Sequence, residues 1–226
     1  MKTKVLKNYE MKAKPVGKGC SSHVYLARDM RKFAIKELVN IKMAKHEATV
    51  MESYRTHPFL PKFYELLLID EKAYIVMEFC EGERIGHWNF HSKGQIRGRE
   101  KAIAITLNIL RGLQHLHNKG FIHYDILPKN VLIADNDPER VKIIDFGISK
   151  PIDYIEKNPK YKNKDLYEAA LMCIYLINGS VSKAPIEDLE TLDDDLKEVL
   201  YKGVNPNKEK QYSSTEEFIR ELIPLL

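Results

Sequence analysis

Two carboxylates and one amide set out the chemistry open to this chain. In the run His123-Tyr124-Asp125-Ile126-Leu127-Pro128-Lys129-Asn130 an acid and an amide stand five residues apart. On a loop, that spacing lets them take separate tasks: Asp125 accepts a proton from a hydroxyl while Asn130 ligates a metal. Farther on, Asp145-Phe146-Gly147 follows a short apolar strand. A carboxylate there, close to a flexible glycine, suits magnesium bridging phosphate oxygens. His123 reads as a hydrogen-bonded structural residue, since no nearby His or Cys completes a transition-metal set.

Two further features are weak alone and gain meaning from that pair. The run Gly17-Lys18-Gly19-Cys20-Ser21-Ser22-His23-Val24 joins two expected strands, and glycines let backbone N–H groups approach phosphate oxygens with no Cβ in the way. Ser22 stands where a third glycine could be, and the run reads equally well as a plain hairpin turn. A strand follows it, which disfavours a dinucleotide-binding fingerprint. In Phe33-Ala34-Ile35-Lys36 a lysine closes an apolar alternation, which aims its ammonium at the inward face of a sheet. Such a lysine is ordinarily surface unless an acid holds it. Of the two acids on the following helix, Glu47 is a better candidate than Glu52.

These side chains need elements to hold them. Short strands are expected at Met11–Val16, His23–Ala27, Phe33–Leu38, Phe63–Leu68 and Tyr74–Glu78, each rich in β-branched or aromatic residues. One helix interrupts them near Lys42–Tyr54, before the breaker His57-Pro58. The glycine-bearing segment Glu81–Gly98 marks a boundary. Beyond it Ile103, Leu107, Leu110, Leu113 and Leu116 recur at helical steps over Arg99–Lys119, and Gly120 stops the helix. Leu166–Ile177 is apolar almost throughout, Glu168 excepted, as a helix buried in a lobe centre would be. A hairpin of Val131–Ile133 and Val141–Ile144 is turned by Asp135-Asn136-Asp137-Pro138. A last helix, Ser213–Leu222, carries Ser214 three residues before Glu217, the spacing of a capping box.

Bulk properties bound the rest. The chain's 226 residues suffice for one large domain or two small lobes, and 44% hydrophobic with 30% charged residues is an ordinary globular composition. The net charge of +4 is spread along the chain without a basic tail or a base-reading motif, so nucleic acid is not expected as a partner. Cys20, Cys80 and Cys173 are an odd set without C-x-x-C spacing, which points to a reducing, cytoplasmic compartment. Met1 to Glu10 lacks the apolar run of a signal peptide, and no stretch is long and apolar enough to suggest a membrane partner.

Taken together, Gly17–Val24, Lys36 in Phe-Ala-Ile-Lys, the 123–130 loop and Asp145-Phe146-Gly147 resemble the eukaryotic-type (Hanks-type) serine/threonine protein kinase family, from about Tyr9 to the C-terminus. The resemblance implies an α+β, bilobal protein-kinase-like fold. Residues 1–80 would form a small β-rich N-lobe and 81–226 a mainly helical C-lobe, together one kinase domain. It implies ATP with magnesium or manganese as cofactors, and γ-phosphoryl transfer to a Ser or Thr of a protein substrate or of the chain itself. Lys36, positioned by Glu47, would contact the α- and β-phosphates beneath a loop carrying Gly17, Gly19 and Ser22. Asn130 and Asp145 would hold the metal, and Asp125 would orient the acceptor. An adenine slot is implied between Val16, Val24 and Ala34 above and Leu132 below, with Met77, Glu78 and Cys80 in the connecting hinge.

The chain departs from the family in several places. Tyr124 replaces the arginine that usually precedes the catalytic aspartate and grips a phosphorylated activation loop in many members. Leu127 replaces a common lysine, and Lys129, two residues later, could neutralise the transferring phosphoryl or lie on the surface. Asp145 and Asp165 are closer together than the family norm, no Ala-Pro-Glu triplet is present, and Gln211 stands where its arginine partner is usual. Losing both halves of an ion pair is self-consistent. A compact member with a shortened activation segment is therefore expected. Two other readings stay open: a small-molecule kinase of the same fold, and a nucleotide-binding pseudokinase that acts as a scaffold.

Overall fold

The computed structural model describes residues 3–19, 21–28, 31–86 and 98–226. Cys20, and residues 87–97 of the glycine-bearing segment, lie outside the described residues. The chain divides into two compact units, Met1–Cys80 and Glu81–Leu226.

The first unit is a seven-stranded antiparallel sheet with one helix. Its elements are β1 (Thr3–Leu6), β2 (Tyr9–Lys12), β3 (Gly17–Lys18), β4 (Ser22–Arg28), β5 (Lys32–Leu38), α1 (Ile41–Tyr54), β6 (Phe63–Ile69) and β7 (Lys72–Glu78). The main strand order is β1-β2-β4-β5-β7-β6, with β3 paired to β4. Alternation divides the sheet into two faces. Met11, Ala27, Phe33, Ile35, Tyr74 and Val76 build a core on one face, edged by Tyr9, Tyr25 and Tyr64. On the other, Val24, Lys36 and Ile75 are cross-strand partners, as are Leu26, Ala34 and Met77. Asn40 caps α1 by accepting a hydrogen bond from the N–H of Met43 at 3.1 Å.

One expectation needs correction here. The strand expected over Met11–Val16 ends at Lys12, and pairing resumes only at Gly17. Pro15 between them has no N–H to donate and restricts the backbone of Lys14. The chain start, where lysines alternate with single apolar residues, forms β1 against β2 through a turn in which Lys7 has φ +54°. Within it Leu6 is buried and Val5 exposed.

The second unit comprises α2 (Arg99–His117), α3 (Ile152–Glu156), α4 (Lys164–Asn178), α5 (Pro185–Asp188), α6 (Asp194–Gly203) and α7 (Thr215–Leu222). Its short strands are β8 (Glu83–Arg84), β9 (Phe121–Ile122), β10 (Val131–Ile133), β11 (Val141–Ile143) and β12 (Lys150–Pro151). The helix α2 packs on α4 and α7, and α4 on α6. Buried Leu107, Leu110, Leu113, Met172, Ile174 and Phe218 supply that core. The last helix begins at Thr215, two residues later than expected, because Ser214 is its cap: Ser214 Oγ accepts from the N–H of Glu217, whose carboxylate accepts from the N–H of Ser213. The strands β8, β10 and β11 form one ribbon, and β12 pairs with β9. Among the described residues no helix is long and apolar enough to cross a membrane.

Candidate active site

In the first unit the residues of interest lie on one hairpin and one face. Gly17 pairs with Val24 across the β3–β4 turn, and Val16 donates its N–H to the carbonyl of Val24 at 2.8 Å. Gly19 and Ser22 close the turn by a backbone bond of 2.9 Å. Val24 sits opposite Lys36, and Ala34 opposite Met77. The Lys36 ammonium donates to both carboxylate oxygens of Glu47, at 2.7 and 2.8 Å. Both side chains are nearly removed from water, 8% and 2% exposed. A buried charge of either sign is costly alone, so each is there because of the other. Glu78 accepts from the N–H of Lys62 through its carboxylate, and its carbonyl takes a long contact from Cys80 Sγ.

In the second unit the 123–130 loop is irregular backbone held by side chains. His123 is fully buried; its Nδ1 accepts from the N–H of Asp125 at 3.3 Å, so its Nε2 carries the proton and donates to the carbonyl of Ile144 at 3.2 Å. Burial holds the imidazole below its ordinary pKa, in keeping with a neutral ring. The Asn130 amide nitrogen donates to the carbonyl of Asp125 at 3.0 Å and to its carboxylate at 2.7 Å. The amide oxygen, a hard ligand, is thereby the atom left for a cation. Lys129 Nζ lies 3.2 Å from the Asp125 carboxylate and is more than half exposed.

Asp145 joins this group through the backbone: the N–H of Ile144, just before it, donates to the carbonyl of Asn130 at 2.9 Å. The β11 strand ends at Ile143, and the Asp145 side chain is exposed. Tyr124 and Asp145 hold φ +75° and +71°. The left-handed region costs a non-glycine residue about 1–3 kcal/mol and persists only where surroundings fix it. Among the described residues no cluster of three or more His, Cys, Asp or Glu side chains could cage a metal. Asn130 offers an amide oxygen and Asp145 a carboxylate, hard oxygen donors of the kind a magnesium ion takes beside phosphate oxygens.

Three positioning residues are not evident from sequence spacing. Buried Asp165, at the start of α4, accepts from the N–H groups of His123 at 2.8 Å and Tyr124 at 2.7 Å, and pairs with His117 Nε2 at 2.8 Å. Burial would raise its carboxyl, but the bond from His117 and the other donors hold it below the ordinary range. Glu168, one turn on, accepts from the N–H of Ile126 at 2.8 Å and pairs with Lys164; burial lifts its pKa against that pairing. Gly86 donates to the carbonyl of Pro128 at 2.9 Å, and a Cβ there would stand 2.7 Å from the N of Lys129. The signal for the two acids was present, since acids in an otherwise apolar helix need partners. Gly86 gave none. Gln211 is buried and donates to the carbonyl of Asn205, while Lys162 pairs with Glu209 at the surface.

Comparison with known proteins gives the family and the fold. The family described as protein kinase domain matches residues 9–170. The MAP kinase kinase kinase SSK2 of Saccharomyces cerevisiae is 32% identical over 150 residues, 61% of this chain and 9% of that protein. The probable serine/threonine-protein kinase YbdM of Bacillus subtilis is 28% identical over 190 residues, 78% of this chain and 73% of that protein. The chain thus spans a small part of the yeast relative and most of the bacterial one. Among solved structures, the Mycobacterium tuberculosis PknI kinase domain superposes with a TM-score of 0.76 at 19% identity, covering 98% of each chain. Rad53 1-466 in complex with AMP-PNP gives 0.78 at 19% identity, over 95% of this chain and 65% of that one.

Proposed function

The chain belongs to the protein kinase domain family, and from that premise we propose that it transfers the γ-phosphoryl group of ATP to a Ser or Thr hydroxyl, in a protein substrate or in its own chain. The observation that carries this reading is the Asp125 loop. Its carboxylate is fixed by Asn130 at 2.7 Å, and its backbone is tied to Asp165 through His123 and Tyr124. A base so held is oriented before an acceptor arrives, and such positioning contributes about 10²–10⁴-fold to a proton transfer.

The roles follow from the chemistry of each group. Lys36, neutralised and held straight by Glu47, is an ammonium suited to the α- and β-phosphates. Gly17, Gly19 and Ser22 carry the phosphate-covering turn; Val16, Val24, Ala34 and Leu132 are assigned to the adenine ring, and Met77, Glu78 and Cys80 to its edge. Asn130 and Asp145 would hold magnesium or manganese, which when bound neutralises charge on the phosphate oxygens. Lys129, beside the Asp125 carboxylate, brings a positive charge to where the phosphoryl group is transferred. ATP as the nucleotide is supported by the AMP-PNP complex of the Rad53 neighbour. Between Asp145 and α4 we read a compact activation segment, and a cytoplasmic site of action accords with the cysteine pattern.

The test incubates the whole chain with γ-labelled ATP and magnesium, beside Asp125→Ala and Asp145→Ala variants, with casein and myelin basic protein as acceptors. Label on Ser or Thr with wild type, reduced at least about 100-fold in both variants, is the expected result. Transfer by all three proteins alike, or label only on a small molecule, would overturn the reading.

A further inference from the structure

The position before Asp125 is occupied by a tyrosine whose ring meets the segment that follows Asp145. Tyr124 packs edge-on against Tyr161, ring centroids 5.1 Å apart, and Tyr161 stacks at 6.3 Å on Tyr154. Two ammonium groups flank the rings: Lys150 lies 5.9 Å from the Tyr124 centroid and 5.4 Å from that of Tyr154, and Lys164 lies 5.3 Å from Tyr124. The hydroxyls of Tyr124 and Tyr161 are themselves hydrogen bonded. Rings in edge and offset contact, with cations over their faces, attract through the aromatic quadrupole.

The backbone beneath this cluster is zipped in the same direction. Lys150 and Pro151 pair with Ile122 and Phe121, the N–H of Ile152 donates to the carbonyl of Gly120 at 2.9 Å, and the buried Ser149 hydroxyl donates to the carbonyl of His123 at 3.3 Å. Tyr124 is thus gripped twice, by its N–H on Asp165 and by its ring on Tyr161. Its left-handed φ sets how the chain enters Asp125. Resting on the phosphotransfer reading, we infer that Tyr124, Tyr161 and Tyr154 form a latch that positions Asp125 by fastening residues 150–161 to the catalytic loop without any phosphate group. Activation segments can instead be ordered by phosphorylation through new Arg–phosphoresidue pairs. Here every contact of the latch is made by rings, hydroxyls, lysines, the Asp165 carboxylate or the backbone of the unmodified chain, so the proton-accepting carboxylate stays in place as synthesised. Tyr124, Tyr161 and Tyr154 are positioning residues.

The experiment measures kcat and the KM for ATP of the whole chain with γ-labelled ATP, magnesium and casein, before and after treatment with a protein phosphatase. Dephosphorylated wild type is expected to keep its kcat. Tyr124→Ala and Tyr161→Ala should each lower kcat about tenfold with KM unchanged, and the double variant should fall no further, because both remove one contact. Tyr124→Phe and Tyr161→Phe keep the rings and should stay within about threefold of wild type. Loss of activity on dephosphorylation, or alanine variants at the wild-type rate, overturns the latch. Hydrogen exchange separates this from the activity itself: Tyr161→Ala should speed amide exchange across residues 150–161 while α2 and α4 stay protected. Unchanged exchange there sinks the latch whether or not phosphoryl transfer is seen. Faster exchange in a protein that transfers no phosphoryl group keeps the latch and sinks the functional reading. If either alanine variant fails to fold, Tyr154→Ala, at the outer ring, is judged by the same exchange criterion.

Discussion

The two units hold their chemical groups in opposite ways. In the first, a charged side chain on a regular strand is held by a charged side chain on a regular helix, Lys36 on β5 against Glu47 on α1. In the second, regular helices reach out with carboxylates to hold irregular backbone: Asp165 and Glu168 of α4 accept the N–H groups of His123, Tyr124 and Ile126. Side chains carry both ends of the first arrangement, so it can be replaced as a matched pair. One end of the second is main chain, which no substitution removes.

That contrast can be broken or sharpened by three substitutions. The largest effect is expected from Asp165→Ala, which leaves the N–H groups of His123 and Tyr124, and His117, without this acceptor. At about 1–3 kcal/mol for each unsatisfied group, unfolding by urea should show a loss of about 5 kcal/mol, with turnover falling alongside. Adding His117→Leu should recover little, since the backbone donors remain.

Lys36→Met should cost about 4 kcal/mol by taking the ammonium away from the buried Glu47 carboxylate, 2% exposed. Here the double variant Lys36→Met with Glu47→Leu should regain most of the stability while turnover stays lost. Failure of the double variant to recover would show that the pair is held by more than its own charges.

The smallest effect concerns a pair at the edge of the helical core. Hydrogen bonds from Lys202 and Ser213 pull the Glu217 carboxyl down to about 2 from 4.5. A depressed carboxyl stabilises the fold above its unfolded pKa and loses that contribution as pH falls through the folded value. The side chain is 23% exposed, so solvent screening reduces the effect to about 1 kcal/mol. Glu217→Gln should therefore be about 1 kcal/mol less stable than wild type at pH 7. The gap should close between pH 4.5 and 2, as urea titrations at several pH values would record.

Much of the first arrangement was legible in the chain. The alternation of Phe33-Ala34-Ile35-Lys36 places the lysine inward, and Glu47 is a better candidate than Glu52 for its acid. The strand expected from Met11 stops short of Val16 because Pro15 breaks the pairing, and β1 lies in a stretch where lysines alternate with single apolar residues. Around Asp125 the residue types were readable, and the order of loop, strand and Asp145 gave the shared neighbourhood. The holding residues were not readable: Asp165 is 42 residues from His123 and Glu168 is 42 from Ile126. In the sequence Glu168 stands out only as the exception in an apolar helix.

What the sequence determined by itself was periodicity and order, because strand alternation, helical steps, caps and proline breaks act between residues a few positions apart. It therefore specified the small sheet with its helix, the apolar α4, the Ser214 cap, and the succession Lys36, Asp125, Asn130, Asp145. Only the tertiary structure decided which carboxylate satisfies which backbone N–H, and where the Tyr124 ring would rest. A loop's unpaired donors are met by whatever acceptor packing brings near, and packing is settled by contacts that local spacing does not encode.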